Sequence, residues 1–221
     1  MANYFPLFFI LLVLGFIIGS SILFSKKNRM LRKLRKSPFK KVSQAQNGQY
    51  QKFKGKALFV HELTKSPLTN RDCIFYRVLV RQKRDKYWRT LIEDNSEADF
   101  FLDCKGELLL IKMDQPSSFR EILLENDHDV RSSIFNDATK QMDAFLEKHN
   151  KKSENIIGLN KTLRYKEGIL EHEEMVVVKG IVEWKALKEP IAGYSYSKIA
   201  TLKGNAHEKL LITDLKKAQI H

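Results

Sequence analysis

With 221 residues, the chain has room for one domain of ordinary size plus an anchor, but is short for two full domains. Hydrophobic residues at 43% and charged residues at 29% are globular proportions, which excludes a disordered chain. The net charge of +13 resembles a nucleic-acid footprint until it is mapped: residues 26–41 hold nine basic residues and no acid, leaving only +4 for residues 42–221.

Residues 1–25 carry no charged side chain, and Tyr4 to Phe24 is a run of 21 largely apolar residues. As a helix this run would rise about 30 Å, the thickness of a hydrocarbon core. Pro6 falls in its first turn, where a missing N–H costs little. The alternative is a cleavable signal peptide, with Gly19-Ser20-Ser21 offering small residues for cleavage. No Lys or Arg precedes the run and it is longer than a usual signal core, so a retained transmembrane helix over residues 4–24 is the reading. All the flanking positive charge follows it, which predicts an outside N-terminus and a cytoplasmic C-terminal domain.

Residues 25–41 form a basic juxtamembrane segment. Its Met30, Leu31 and Leu34 lie within helical reach of one another among Lys26, Lys27, Arg29, Arg32, Lys33, Arg35 and Lys36. That pattern suits a short interfacial helix whose cations contact anionic lipid headgroups. The same residues serve equally as a plain topology signal. Residues 42–54, polar from Ser43 to Gln51, read as a linker.

After the linker, strand signals dominate. Cys73 to Arg81 alternates, with Ile74, Tyr76, Val78 and Val80 on one face and two arginines on the other. Lys86–Ile92 and Ala98–Leu102 are further strands, and Asp103-Cys104-Lys105-Gly106 is a turn into a strand over Glu107–Met113. Gly106 supplies the positive φ that a tight hairpin needs. Ile134–His149 predicts a helix with Ala138, Met142, Phe145 and Leu146 on one stripe. Glu174–Glu183 is a β-branched run broken by Gly180, and Lys209–Thr213 a last short strand. Together these predict an α+β, mostly β fold: a compact barrel- or sandwich-like domain with one main helix, behind the N-terminal span.

Chemistry is hard to find. There is no P-loop and no GxGxxG after a strand. His61-Glu62 and His172-Glu173 begin like HExxH, but neither has the second histidine. Asp127-His128-Asp129 reads as a solvated acidic loop before it reads as a metal site. Cys73 with His61 lacks a recognisable third group, and Cys73 opens an apolar strand where inert thiols are common. Phe75-Tyr76 and Phe100-Phe101 could stack bases on a small barrel, although such aromatics more often fill a core. No catalytic residue, metal or cofactor is expected, and without a basic groove in residues 42–221 nucleic acid is not an expected partner.

Three stretches together resemble a known family. Ser66-Pro67-Leu68-Thr69-Asn70-Arg71-Asp72-Cys73-Ile74-Phe75-Tyr76 is similar to the "SP-x-T-G-x-x-C-x-x-Y" signature of the GIDE domain, also called BAM ("beside a membrane"). Asp103 and Gly106 resemble its Asp–x–x–Gly hairpin. Leu163-Arg164-Tyr165-Lys166-Glu167, followed by the Val176 run and Gly180, resembles its "LRYxExxL…VYVxG" block. The order holds over residues 55–215; Asn70, where glycine is usual, and Glu171–Glu174, where "PGD" is common, depart from it. The resemblance implies a domain that recognises protein partners beside a membrane. It marks Ser66, Pro67, Cys73, Tyr76, Asp103, Gly106, Arg164, Glu167 and Gly180 as motif residues, with Arg164 and Glu167 expected to act together on the turn before the Val176 strand.

Family members resembling mitochondrial outer-membrane ubiquitin ligases add a RING, which needs about seven cysteines for two zinc ions. This sequence has two, so ubiquitin transfer comes only by family analogy. The expectation is a membrane-anchored, non-catalytic interaction domain with the bilayer and an unidentified protein as partners. Part of a ubiquitin-transferase assembly and a single-stranded nucleic-acid-binding barrel are the alternatives.

Overall fold

The computed structural model describes residues 24–60, 62–133, 136–155, 158–187 and 197–220. The span expected over residues 4–24 lies outside these, apart from exposed Phe24. Among the described residues, no helix is long and apolar enough to cross a membrane.

Helix α1 (Lys26–Arg35) starts at Ser25, whose extended backbone (ψ 148°) and side chain, accepting from the Asn28 N–H, cap it. Among the described residues, thirteen strands follow. β1 (Tyr50–Phe59), β6 (Phe100–Cys104), β7 (Glu107–Ile111), β12 (Lys198–Lys203) and β11 (Met175–Ala186) pair in that order, and β11 returns to β1. This closure makes a five-stranded barrel in which each strand has a neighbour on both sides. β13 (Leu210–Thr213) and β8 (Arg120–Leu123) extend the sheet beyond β11.

A second sheet, ordered β5 (Tyr87–Ser96), β4 (Phe75–Arg84), β10 (Leu163–Leu170) and β9 (His128–Ser132), is antiparallel throughout. The ribbon β2 (Thr64–Lys65) and β3 (Asp72–Cys73) closes the loop before β4. Helix α2 (Lys140–Lys148) covers one face of the second sheet.

Three apolar clusters hold these layers together. The largest fills the barrel, with Phe53, Phe100, Leu102, Leu109, Val176 and Val178 among its fully buried residues. Val78, Val80 and Tyr165 of the second sheet meet Met142, Phe145 and Leu146 of α2 in another. Met30, Leu31 and Leu34 of α1 meet Val177, Leu211 and Leu215 on the outside of the barrel in the third.

The mostly β, α+β expectation holds, as does the barrel, but the domain carries two helices instead of one. Several finer expectations change. Residues 42–54 are not a free linker: Val42 is buried in the barrel cluster, and β1 starts at Tyr50 with Gln51, Lys52 and Phe53 buried. α2 starts at Lys140 instead of Ile134, because Thr139 caps it by accepting from the Met142 N–H. It ends where Asn150 takes φ 57° and the Lys151 N–H returns to the Leu146 carbonyl, a Schellman closure.

The alternation expected from Ile74 holds only from Tyr76 onward. A bend at Ile74 separates β3 from β4, so Ile74 and Phe75 enter the barrel cluster while Tyr76, Val78 and Val80 face α2. Gly180 does not break its run, since β11 passes through it. On one edge, β11 pairs with β13 through Val177–Lys179 and with β12 from Ile181 onward. Gly180 sits at that change of partner, where a Cβ would come within 2.9 Å of the Leu210 side chain.

Candidate functional site

The basic segment is the most unusual part of the chain, and the structure gives it a definite seat. α1 lays its apolar stripe on β11 and β13 and turns its charges away: Lys26, Lys27, Arg29, Arg32, Arg35 and Lys36 are exposed and Lys33 is half-buried. Met30, Leu31 and Leu34 are therefore spent on the domain. The expected interfacial helix has no apolar face left to insert into lipid, only a cationic one to present.

What holds α1 lies beneath its C-terminal end. Strand alternation puts Phe53, Val176 and Val178 inside the barrel and turns Lys52 and Lys179 outward, under the helix. The two lysines face each other across β1 and β11, and both are buried, at 0% and 7% exposure. Like charges directly opposite repel. Here each has a substitute for water: Lys52 Nζ donates to the Leu34 carbonyl at 3.0 Å, and Lys179 Nζ to the Lys33 carbonyl at 3.3 Å.

Those carbonyls belong to the last turn of α1, whose end carries partial negative charge; the Leu34 carbonyl also accepts from the Lys36 and Ser37 N–H groups. Each ammonium also lies over a ring, Lys52 over Phe39 at 4.0 Å and Lys179 over Tyr50 at 4.5 Å. Burial lowers both lysine pKa values; Lys179 adds to the effect on Lys52, and Lys36 to that on Lys179. Lys33 completes the seat with a 2.6 Å ion pair to Glu121.

The motif residues are brought only partly together. Glu167, fully buried on β10, accepts from the backbone N–H groups of Leu68 at 2.8 Å and Thr69 at 3.1 Å, and from the Thr69 hydroxyl. Ser66 joins the same loop: its hydroxyl lies 2.8 Å from Thr69 Oγ1 and accepts from the Arg71 N–H. Asn70 takes φ 55°, so asparagine does what glycine would do at that position. Half-buried Pro67 belongs to this knot by sequence. Arg71 crosses to Glu171 and helps close the ribbon over β10.

Arg164 does not work with Glu167. Residues three apart on a strand point to opposite faces, so Arg164 lies at the surface in a two-pronged pair with Asp129, both contacts at 2.7 Å. The guanidinium holds Asp129 down at about 2, helped by Lys166. Asp103 and Gly106 form the expected hairpin elsewhere: Asp103 Oδ1 accepts from the Gly106 N–H at 2.6 Å, with Lys105 at φ 62° and Gly106 at φ 90°. Tyr76 is half-buried against α2, and burial raises its pKa, with Asp94 contributing.

Cys73 is buried with its thiol 3.5 Å from the Thr64 carbonyl, and burial pushes its pKa up to about 12, with Glu167 adding to it. Such a thiol is not poised as a nucleophile. Cys104 is also pushed up to about 12 by burial. His61 lies outside the described residues. Asp127 and Asp129 are engaged in structural contacts, Asp127 accepting from the Ile169 N–H at 3.0 Å. Among the described residues no cluster of His, Cys, Asp or Glu is arranged to hold a metal ion. Phe75 and Phe100 pack in the core 6.0 Å apart and offer no surface for bases.

Sequence reasoning saw the cations of α1 and missed Lys52 and Lys179, which lay inside the presumed linker and an apolar run. No family model, curated protein or solved structure matches this chain.

Proposed function

We propose that this chain is a membrane-tethered, non-catalytic interaction module of the GIDE-like kind, held against the cytoplasmic face of a bilayer by the span expected over residues 4–24. The observation that supports it is the seating of α1. The helix starts two residues after the apolar run, shows cations outward, and is fixed to the barrel by Lys52 and Lys179. A domain joined in this way does not swing on a tether. It presents one constant face to the headgroups and the rest to a protein partner.

The GIDE resemblance fits a structure in which Ser66, Thr69 and Glu167 form one hydrogen-bonded knot. It rests on those motifs, and the partner-binding role follows the family. Transfer chemistry is not part of the reading, since the Cys73 thiol is buried and its pKa raised.

The test has two parts. A reporter fused after residue 221 should be active only in the cytoplasm, and protease access to that end from outside intact cells would overturn the topology. Affinity purification in mild detergent should recover a partner with the full chain and not with a chain lacking residues 42–221. Equal recovery by both would remove the domain's role.

A further inference from the structure

We propose that the cleft between the start of α1, the β4–β5 hairpin and β8 binds a doubly charged phosphate group, presented at the membrane surface as a phosphomonoester lipid headgroup. The inference rests on the tethered reading above for its lipid source, and on the cleft itself for its chemistry.

The cleft has a volume of about 390 Å³, within the range of small-ligand sites. Five cations and three carboxylates line it, and most of them are already engaged. Arg77 bonds Asn95 at 3.1 Å, the Ile122 carbonyl at 2.7 Å and Glu93 at 3.3 Å. Arg120 pairs with Glu97, and Glu121 is held by Lys33. All three acids are thus neutralised. Lys26, Arg29 and Lys209 remain, with no ion-pair partner among the described residues.

Two features show that this surplus is unsatisfied. Lys26 and Arg29 lie in the first turn of α1, beside the positive end of its dipole, and no acid accompanies them there. An anion in the cleft would offset both the cations and the dipole. The Arg120 Nε–H, on a residue lining the same cleft, is buried without a hydrogen-bond partner among the described residues. Buried donors are seldom left so, and this one lacks an acceptor.

Three unpaired cations suit a dianionic phosphomonoester better than a phosphodiester with one charge. The cleft is also more than a diffuse basic surface. Lys209 comes from the segment before β13, positioned by the Tyr50 hydroxyl, which donates to the Lys209 carbonyl at 2.6 Å. Lys26, only two residues beyond Phe24, puts the cleft at headgroup depth if the span is as proposed.

The full chain in phosphatidylcholine nanodiscs doped with phosphatidic acid or with phosphatidylglycerol provides the test, read as lipid retained in native mass spectra. Phosphatidic acid should be preferred several-fold. Arg29→Gln with Lys209→Gln should reduce its retention about thirtyfold, the effect of removing two near-surface cations, and should abolish the preference. Lys27→Gln with Arg35→Gln removes the same charge outside the cleft and should weaken retention of both anionic lipids alike, leaving the preference for phosphatidic acid unchanged. Arg29→Lys with Lys209→Arg should preserve the preference, and unchanged melting temperatures exclude misfolding.

Equal loss of the preference in both neutralised pairs, or no preference for phosphatidic acid in the parent, overturns the proposal. Displacement of the lipid by an equal concentration of inorganic phosphate would refute a lipid source. If the chain fails to enter nanodiscs, the tether reading fails instead. Short-chain phosphatidic acid in detergent, with the same variants, then decides the cleft.

Discussion

Two regions of this molecule solve the same problem with opposite charges. Beneath α1, Lys52 and Lys179 are buried side by side, and each ammonium donates to a backbone carbonyl of a helix end. On β10, buried Glu167 has no ion-pair partner among the described residues, and two backbone N–H groups and a hydroxyl serve instead. Both pin a distant segment, since a buried charge needs polar groups to converge on it. They differ in what they cost. The carboxylate collects three donors from one loop, whereas the lysines repel each other and each is desolvated, as their lowered pKa values show. A buried charge with converging donors secures a local loop; a like-charged pair is tolerable only because a whole helix end lies above it.

The largest expected effect breaks the first region. If residues 1–41 served only as an anchor, residues 48–221 would fold alone. The structure predicts the reverse, because that chain loses the burial of Met30, Leu31 and Leu34, worth about 6 kcal/mol in total. It also takes from Lys52 and Lys179 the Leu34 and Lys33 carbonyls to which they donate. That loss is comparable to the whole stability of an ordinary domain. Residues 24–221 should unfold cooperatively in urea, and residues 48–221 should give no cooperative transition. Equal midpoints for the two chains would show that the α1 seat is ornamental.

Glu167→Ala tests the second region. Two amide donors lose a charged acceptor, for an expected loss of about 3–5 kcal/mol, while Glu167→Gln keeps one acceptor and should lose about half as much. Amide exchange should quicken at Leu68 and Thr69 first. A change below about 1 kcal/mol for the alanine variant would mean that the loop holds itself.

Asp214 sharpens the comparison, because it is a buried acid with fewer donors. Both its oxygens accept from the single Glu125 N–H, at 2.8 and 3.0 Å. Burial, with Glu174 and Asp127 nearby, raises it to about 7. A carboxyl whose folded pKa exceeds its unfolded value binds more protons when folded, so its ionisation destabilises the fold as pH rises from about 4 to 7. Asp214→Asn should therefore gain stability relative to the parent across that window, by at most about 4 kcal/mol. A pH-independent difference between the two melting curves would refute this assignment.

The smallest effect belongs to Arg164. Its pair with Asp129 lies at the surface, so Arg164→Ala should change the unfolding free energy by less than about 1 kcal/mol near neutrality. The Asp129 titration near 2 should move toward its ordinary value, which proton-detected titration of that carboxyl would show.

Much of the β architecture was legible locally. The Asp103–Gly106 turn, the alternation beyond Tyr76 and the β-branched run around Val176 each follow from short-range rules. β1 was missed because Gln51, Lys52 and Lys54 look solvated, and β8 and β9 because Arg120, Glu121, His128 and Asp129 give short strands a polar look. Arg164 and Glu167 were paired by spacing alone, but a strand places them on opposite faces.

By itself the sequence determined where the charge lies, that an apolar run precedes it, and that a mostly β domain with a capped helix follows, since composition and period are local properties. Only the tertiary structure decided that the basic helix belongs to the domain, that Lys52 and Lys179 hold it, and that Glu167 grips a loop 99 residues away at Leu68. A charged residue can be buried only when polar partners converge on it. Those partners come from segments far apart in sequence, and only the closed barrel brings them together.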